Sequence, residues 1–283
     1  MTQAQTRQSD ASPDASTANA AETVRAELRA LIDPEKAVVL PRFFKTGPGQ
    51  YGEGDRFHGV VVPKIRKVAL AHAEASEAEI VALLDSEYHE ERMVALLILI
   101  EQYRRGDAAR QEAIFRLYLA STGRINNWDL VDLSAPQIVG AHIYNNSKFD
   151  NDGEPVSTGV ALLTKLSASP SLWERRIAII ATLYFIRRGN CRETFRIAQR
   201  LLGDEHDLIH KAVGWMLREA GKHCSMAGEC AFLDRHATAM PRTMLRYAIE
   251  RFPENLRRHY LKGTSKKPAD KARRSEKSGV YTW

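Results

Sequence analysis

The stretch HEERMVALLILIEQYRRGD, residues 89 to 107, opens on charged and polar side chains, runs through VALLILI at 94 to 100 and closes on two arginines and a glycine. Acid at the start and base at the end suit the partial charges of a helix, and glycine is the favoured residue for ending one. The apolar run is far shorter than the ~20 residues that span a bilayer, so it predicts a helix buried in protein. LWERRIAIIATLYFIRRGN at 172 to 190 and DLIHKAVGWMLREAGKH at 207 to 223 repeat the same plan, and MPRTMLRYAIERFP at 240 to 253 is a looser copy. Between them, ARQEAIFRLYLA (109 to 120) and ETFRIAQRLLG (193 to 203) carry the i, i+3, i+4 spacing of amphipathic helices. The pattern predicts an all-α chain in which paired helices stack as a HEAT-like repeat superhelix, an α-solenoid with a concave face able to take a long ligand.

The helical domain spans 20–263. The polar residues 1–19 and the basic residues 264–283 read as disordered tails, too poor in apolar side chains to build a core. The N-terminus lacks the basic start and apolar centre of a secretory signal, and no run is long enough to cross a membrane. Three cysteines, Cys191, Cys224 and Cys230, fit neither a disulfide framework nor a paired-cysteine zinc site, which points to the cytoplasm. A formal net charge of +6 over 283 residues favours a polyanionic partner, although such an excess also occurs in proteins that bind none.

Two short motifs have plain readings. GPGQYG at 47 to 52 matches G-x-G-x-x-G, but neither a strand before it nor a helix directly after it supplies the βαβ context of a dinucleotide site. It reads as a flexible loop joining two helices, with backbone amides that could still meet a phosphate. HDLIH at 206 to 210 sets His206 and His210 one turn apart, as in zinc-binding helices, yet no third ligand is evident; capping by Asp207 and ordinary surface imidazoles suffice. No metal or cofactor is expected.

The aromatic residues carry more. At about 100° per residue, Trp173, Ile177, Ile180 and Tyr184 form one core face, with Arg176 on its flank. Ile209, Val213, Met216 and Ala220 form another, and Trp215 lies roughly 130° from its centre, beside Lys211. Trp215 therefore either packs on a neighbouring repeat or is open to a ligand. In RINNWDLVDLSAP, 124 to 136, a helix capped by Asn126 or Asn127 puts Trp128 and Asp132 on one face. Pro136 cannot donate to the Asp132 carbonyl, so the helix should bend there. An ionised carboxylate beside an aromatic plate is one reading; a surface aspartate with a packed tryptophan is the other.

NNWDLVDLSAP, LWERRIAI and HKAVGWMLRE resemble the signature segments of the AlkD-type DNA alkylation repair proteins, which are HEAT-like repeat DNA glycosylases. The likeness covers roughly residues 25 to 262, with three separated motifs in order. It matches Trp128 and Asp132 to a tryptophan and aspartate one turn apart, Arg176 to the arginine of W-x-x-R, and Trp215 to the tryptophan of G-W-x-L-R-E. Phe43 in PRFFK stands where a tyrosine is usual, Asn127 replaces a second tryptophan, and GPGQYGEGD looks like an insertion.

The resemblance implies a monomeric alkylpurine glycosylase of base excision repair, cytoplasmic and nucleoid-associated when bound, that removes positively charged N3- or N7-alkylated purines from duplex DNA without enclosing the base. Asp132, Trp128 and Trp215 would then be catalytic, and Arg176, Lys211 and Phe43 would contact DNA. The competing reading is a non-catalytic scaffold that binds DNA or protein.

Overall fold

The structure is a computed structural model that describes residues 15–153, 155–156 and 158–263. Both expected tails fall largely outside the described residues, although the first helix already begins at Ala15. The chain divides into two compact units, Met1–His142 and Ile143–Trp283.

The first unit holds α1 (Ala15–Arg29), α2 (Pro34–Phe43), α3 (Val62–Ala71), α4 (Glu77–Leu84), α5 (His89–Arg105), α6 (Ala108–Ala120) and α7 (Trp128–Ser134). The opening stretch of sequence becomes α5, the central helix, against which α1, α3, α4, α6 and α7 all pack. Its apolar run is buried almost throughout, and so are the charged residues before it, His89, Glu90, Glu91 and Arg92. Asp107 and Ser76 cap α6 and α4, the latter in a reciprocal capping box with Glu79.

After α7 the bend expected at Pro136 takes the form of a π-helical segment, Pro136–Gly140, in which the Gly140 amide donates to the Ala135 carbonyl at 2.9 Å. Proline has no N–H to continue the ladder, and widening the turn by one residue lets the chain stay helical. The short helix α8 (Ala141–Asn145) follows.

The second unit comprises a two-strand hairpin and helices α9 (Thr158–Ser167), α10 (Leu172–Ile180), α11 (Leu183–Ile186), α12 (Arg192–Arg200), α13 (Asp207–His223), α14 (Met226–His236), α15 (Arg242–Ala248) and α16 (Glu254–Gly263). Its centre is α13, 17 residues long like α5, with α10, α12, α14 and α15 around it. The expected stripe Ile209, Val213, Met216 and Ala220 is fully buried. At Gly214 a Cβ would overlap the Met244 carbonyl and the Tyr247 side chain, so α15 lies against the bare backbone of α13.

Two repeat copies are less regular than their spacing suggests. The 172 to 190 stretch breaks between α10 and α11, where the Thr182 hydroxyl and amide both bond back to the Ile179 carbonyl, at 2.7 and 3.2 Å. A threonine that offers its hydroxyl to the preceding turn competes with the helical ladder. The last copy shortens to α15 and a 3₁₀ turn, Ile249–Arg251, before Pro253. The hairpin pairs Lys148 with Val156 and Phe149 with Pro155. Strands of two residues have too little alternation to be read from sequence. No helix among the described residues is long and apolar enough to cross a membrane.

Candidate functional site

In the first unit the site grows from the start of α7. Asn127 caps the helix, its side-chain oxygen accepting from the Trp128 amide at 2.8 Å. Trp128 and Asp132, one turn apart on α7, are both half-buried. Trp128 stacks on Phe44 with ring centroids 5.5 Å apart, and Phe44 stacks in turn on Phe57 at 5.0 Å. Phe43, 61% exposed, meets Trp128 edge-on at 5.8 Å. The PRFFK segment at the end of α2 thus brings one exposed and one buried phenylalanine to the Trp128 ring. Beneath α7, Tyr118 is buried and shares a 2.9 Å hydrogen bond with Ser134. Burial pushes the Tyr118 phenol up, and the nearby Asp132 carboxylate adds to that push, so the phenol stays neutral.

Behind the aromatic stack lies a set of charges that the motifs did not reveal. His89, from the first turn of α5, places Nε2 2.8 Å from Asp129 and Nδ1 3.4 Å from Asp55. Asp55 also accepts from Arg92 at 2.6 Å and from the Asn127 amide group at 3.0 Å. His89, Asp55 and Arg92 are almost wholly removed from solvent. Burial opposes a charged imidazole, but the Asp129 charge and the hydrogen bonds to Asp129 and Asp55 outweigh it and raise His89 to about 9. Burial likewise opposes ionised Asp55, and His89, Arg92 and Asn127 together hold it below the usual carboxylate range. Two carboxylates and two cations therefore balance inside the fold.

The same helix start organises the preceding loop. Glu90 accepts the backbone amides of His58, Gly59 and Val60 at 3.0, 2.8 and 3.1 Å, and Glu91 bonds His58 and Arg25 at 3.1 and 3.0 Å. The sequence signal was present in HEER. Charged side chains that directly precede a fully apolar run on a central helix are carried inside with it, where each needs a partner.

The glycine-rich stretch is, as expected, a loop joining two helices, α2 and α3. The Gly47 amide donates to the Gln50 side chain at 3.0 Å and the Gly49 amide to Glu53 at 2.8 Å, so these two donors are turned to the loop itself. Asp129, in the first turn of α7, is tied to His89 as well as standing at a helix start.

In the second unit Trp215 is half-buried on α13, outside the buried stripe, while Trp173 is buried. Tyr184, expected on the core face with Trp173, is instead half-buried, with the Arg188 guanidinium 3.4 Å over its ring. Arg176 departs from expectation. It is 4% exposed and one of its terminal nitrogens donates to the Leu208 carbonyl. The long side chain reaches inward to a carbonyl in the first turn of α13, and a guanidinium so enclosed presents little open face to a phosphate. Lys211 is half-exposed and pairs with Asp207 at 2.7 Å. His206, rather than Asp207, caps α13 through Nδ1, and His210 bonds the Asp204 carbonyl.

These geometries accompany a sequence match. The DNA alkylation repair enzyme family model matches residues 24–252. A solved structure described as a predicted DNA alkylation repair enzyme from Enterococcus faecalis superposes with a TM-score of 0.57 at 14% identity, over 79% of this chain and 97% of that one. At that identity the likeness speaks for a shared helical-repeat fold. Among curated proteins none matches. With most of its length covered by the family model, the chain belongs to the DNA alkylation repair enzyme family.

Proposed function

We propose that this protein is a DNA glycosylase that hydrolyses the N-glycosidic bond of positively charged N3- or N7-alkylated purines in duplex DNA. The observation that carries the reading is the half-buried pair Trp128 and Asp132 on one face of α7, with Phe43 exposed against the tryptophan. Alkylation gives the base a positive charge, so the bond from C1′ to nitrogen breaks with its electron pair leaving on the base and cancelling that charge. The sugar left behind has oxocarbenium character. Asp132, ionised, would stabilise it and orient a water whose oxygen bonds to C1′, while the released proton passes to the carboxylate or to solvent. Trp128 would offer an electron-rich face to the cationic sugar or base, and the resemblance assigns Trp215 the same kind of aromatic contact.

Phe43 keeps the aromatic surface without a hydroxyl, so its part is contact rather than proton transfer. Phosphate contacts fall to more accessible cations such as the half-exposed Lys211, not to the enclosed Arg176. The test is release of methylated purine from alkylated duplex DNA by purified protein. DNA binding without release would favour the scaffold reading.

A further inference from the structure

The three residues that open α7 are each held against one buried group. Asn127 donates to Asp55, Trp128 stacks on Phe44, and Asp129 bonds His89. Asp55 is itself bonded to His89, and the Phe44 ring packs on the His89 ring with centroids 4.8 Å apart. All three grips on α7 therefore converge on one imidazole contributed by α5. We propose that Asp55, His89 and Asp129 form a positioning relay that fixes the start of α7, and with it Trp128 and Asp132, for the reaction. The inference rests on the glycosylase reading for its functional sense.

The geometry requires the charged ring. Each His89 nitrogen faces a carboxylate, and a neutral imidazole has only one N–H to give. With the proton present, Asp55 and Asp129 are each given a donor; without it, one of them faces a bare ring nitrogen. The charged groups around His89 are Asp55 from the loop before α3, Asp129 from α7 and Arg92 from its own helix, while Phe44 and Phe57 supply its apolar walls. Arg92 is already bonded to Asp55 and to the Ser86 carbonyl at 2.8 Å, so it does not replace the imidazolium at Asp129. His89 thus acts through α7 and touches no reacting atom.

The experiment is single-turnover excision of 7-methylguanine from duplex DNA at saturating protein between pH 6 and 10, with uncatalysed release subtracted, for the parent and His89→Gln. The parent rate should fall as pH rises through about 9, where the ring loses its proton. His89→Gln should be slower at pH 7 by roughly 10- to 100-fold, the scale for misplaced reacting groups, with unchanged DNA affinity and no such fall. A purely structural role would lower the melting temperature but leave the pH profile of the folded protein intact. If His89→Gln does not fold, Asp129→Asn takes its place with the same expectation.

Should the parent release no base at any pH, the glycosylase reading fails, and the relay is then read from Trp128 alone. The emission of the parent minus that of Trp128→Phe should still change through about pH 9, and should not change when His89 is Gln. Parent and variant with equal rates and the same pH profile, or emission that is flat in the inactive protein, would overturn the relay.

Discussion

Glu229 should make the second unit less stable as pH rises, and replacing it with glutamine should remove that loss. The side chain is 1% exposed, and its Oε1 has no hydrogen-bond partner among the described residues. It fits there because Gly221 has no Cβ: one added at that position would coincide with the Glu229 carboxyl group. Burial pushes the carboxyl up from 4.5 to about 8, with Arg218 pulling only weakly the other way. An acid with a folded pKa above its unfolded value binds an extra proton on folding. Stability from this group is therefore complete below about 4.5 and is lost as pH rises towards 8. At pH 7 the loss works out at about 3 kcal/mol, from 1.36 kcal/mol per unit and a folded group still mostly protonated. Glu229→Gln keeps the shape and cannot ionise. Urea unfolding of both proteins at pH 4, 7 and 8 should show a gap that widens by about 3 kcal/mol from pH 4 to 7. Stability curves that run parallel across that range would refute the argument, because the carboxyl would then be solvated in the folded state.

Trp173, buried, and Trp215, half-buried outside the core stripe, should separate in their effects. Trp173→Ala should destabilise the fold by about 3 to 5 kcal/mol, as for other buried aromatics, whereas Trp215→Ala should spare the melt and lower excision; the opposite ranking in thermal melts would reverse the face assignment. DNA binding should weaken with salt by roughly −0.9 in the log–log slope per phosphate neutralised, and a flat response would remove the nucleic-acid reading. Lys211→Ala should reduce that slope by up to about one, while Arg176→Ala should act on stability instead, since its partner is the Leu208 carbonyl.

Much of the architecture could be read from spacing alone. The plan of polar start, apolar body and basic end picked out α5 and α13, the central helices of the two units: α5 is enclosed along nearly its whole length, and α13 buries the apolar stripe its spacing predicts. The bend at Pro136 followed from a missing N–H, though not its π-helical form, which depends on the chain finding a carbonyl five residues back. Spacing could not foresee the break at Thr182, which turns on one hydroxyl choosing a backbone acceptor. For the candidate site, the i, i+4 relation of Trp128 and Asp132 was legible. The packing of Phe43 on Trp128 joins residues 85 positions apart and needed the fold. His89, Asp55 and Asp129 stayed hidden for the same reason, since they come from a helix start, a loop and a second helix start. Arg176 was misjudged because helical angle alone does not say which neighbour covers a flank.

Asp132→Asn tests the account most directly. The substitution preserves the shape of α7 and deletes one charge, so DNA affinity should hold or rise, as a carboxylate near phosphates repels them. The variant is first shown to be folded by its melt. The measurement is the single-turnover rate of alkylpurine release at saturating protein. The account predicts a fall of roughly 10² to 10³, the scale for losing one placed electrostatic stabiliser. Equal rates for Asp132→Asn and the parent would contradict it and leave the carboxylate an ordinary residue of the helix surface.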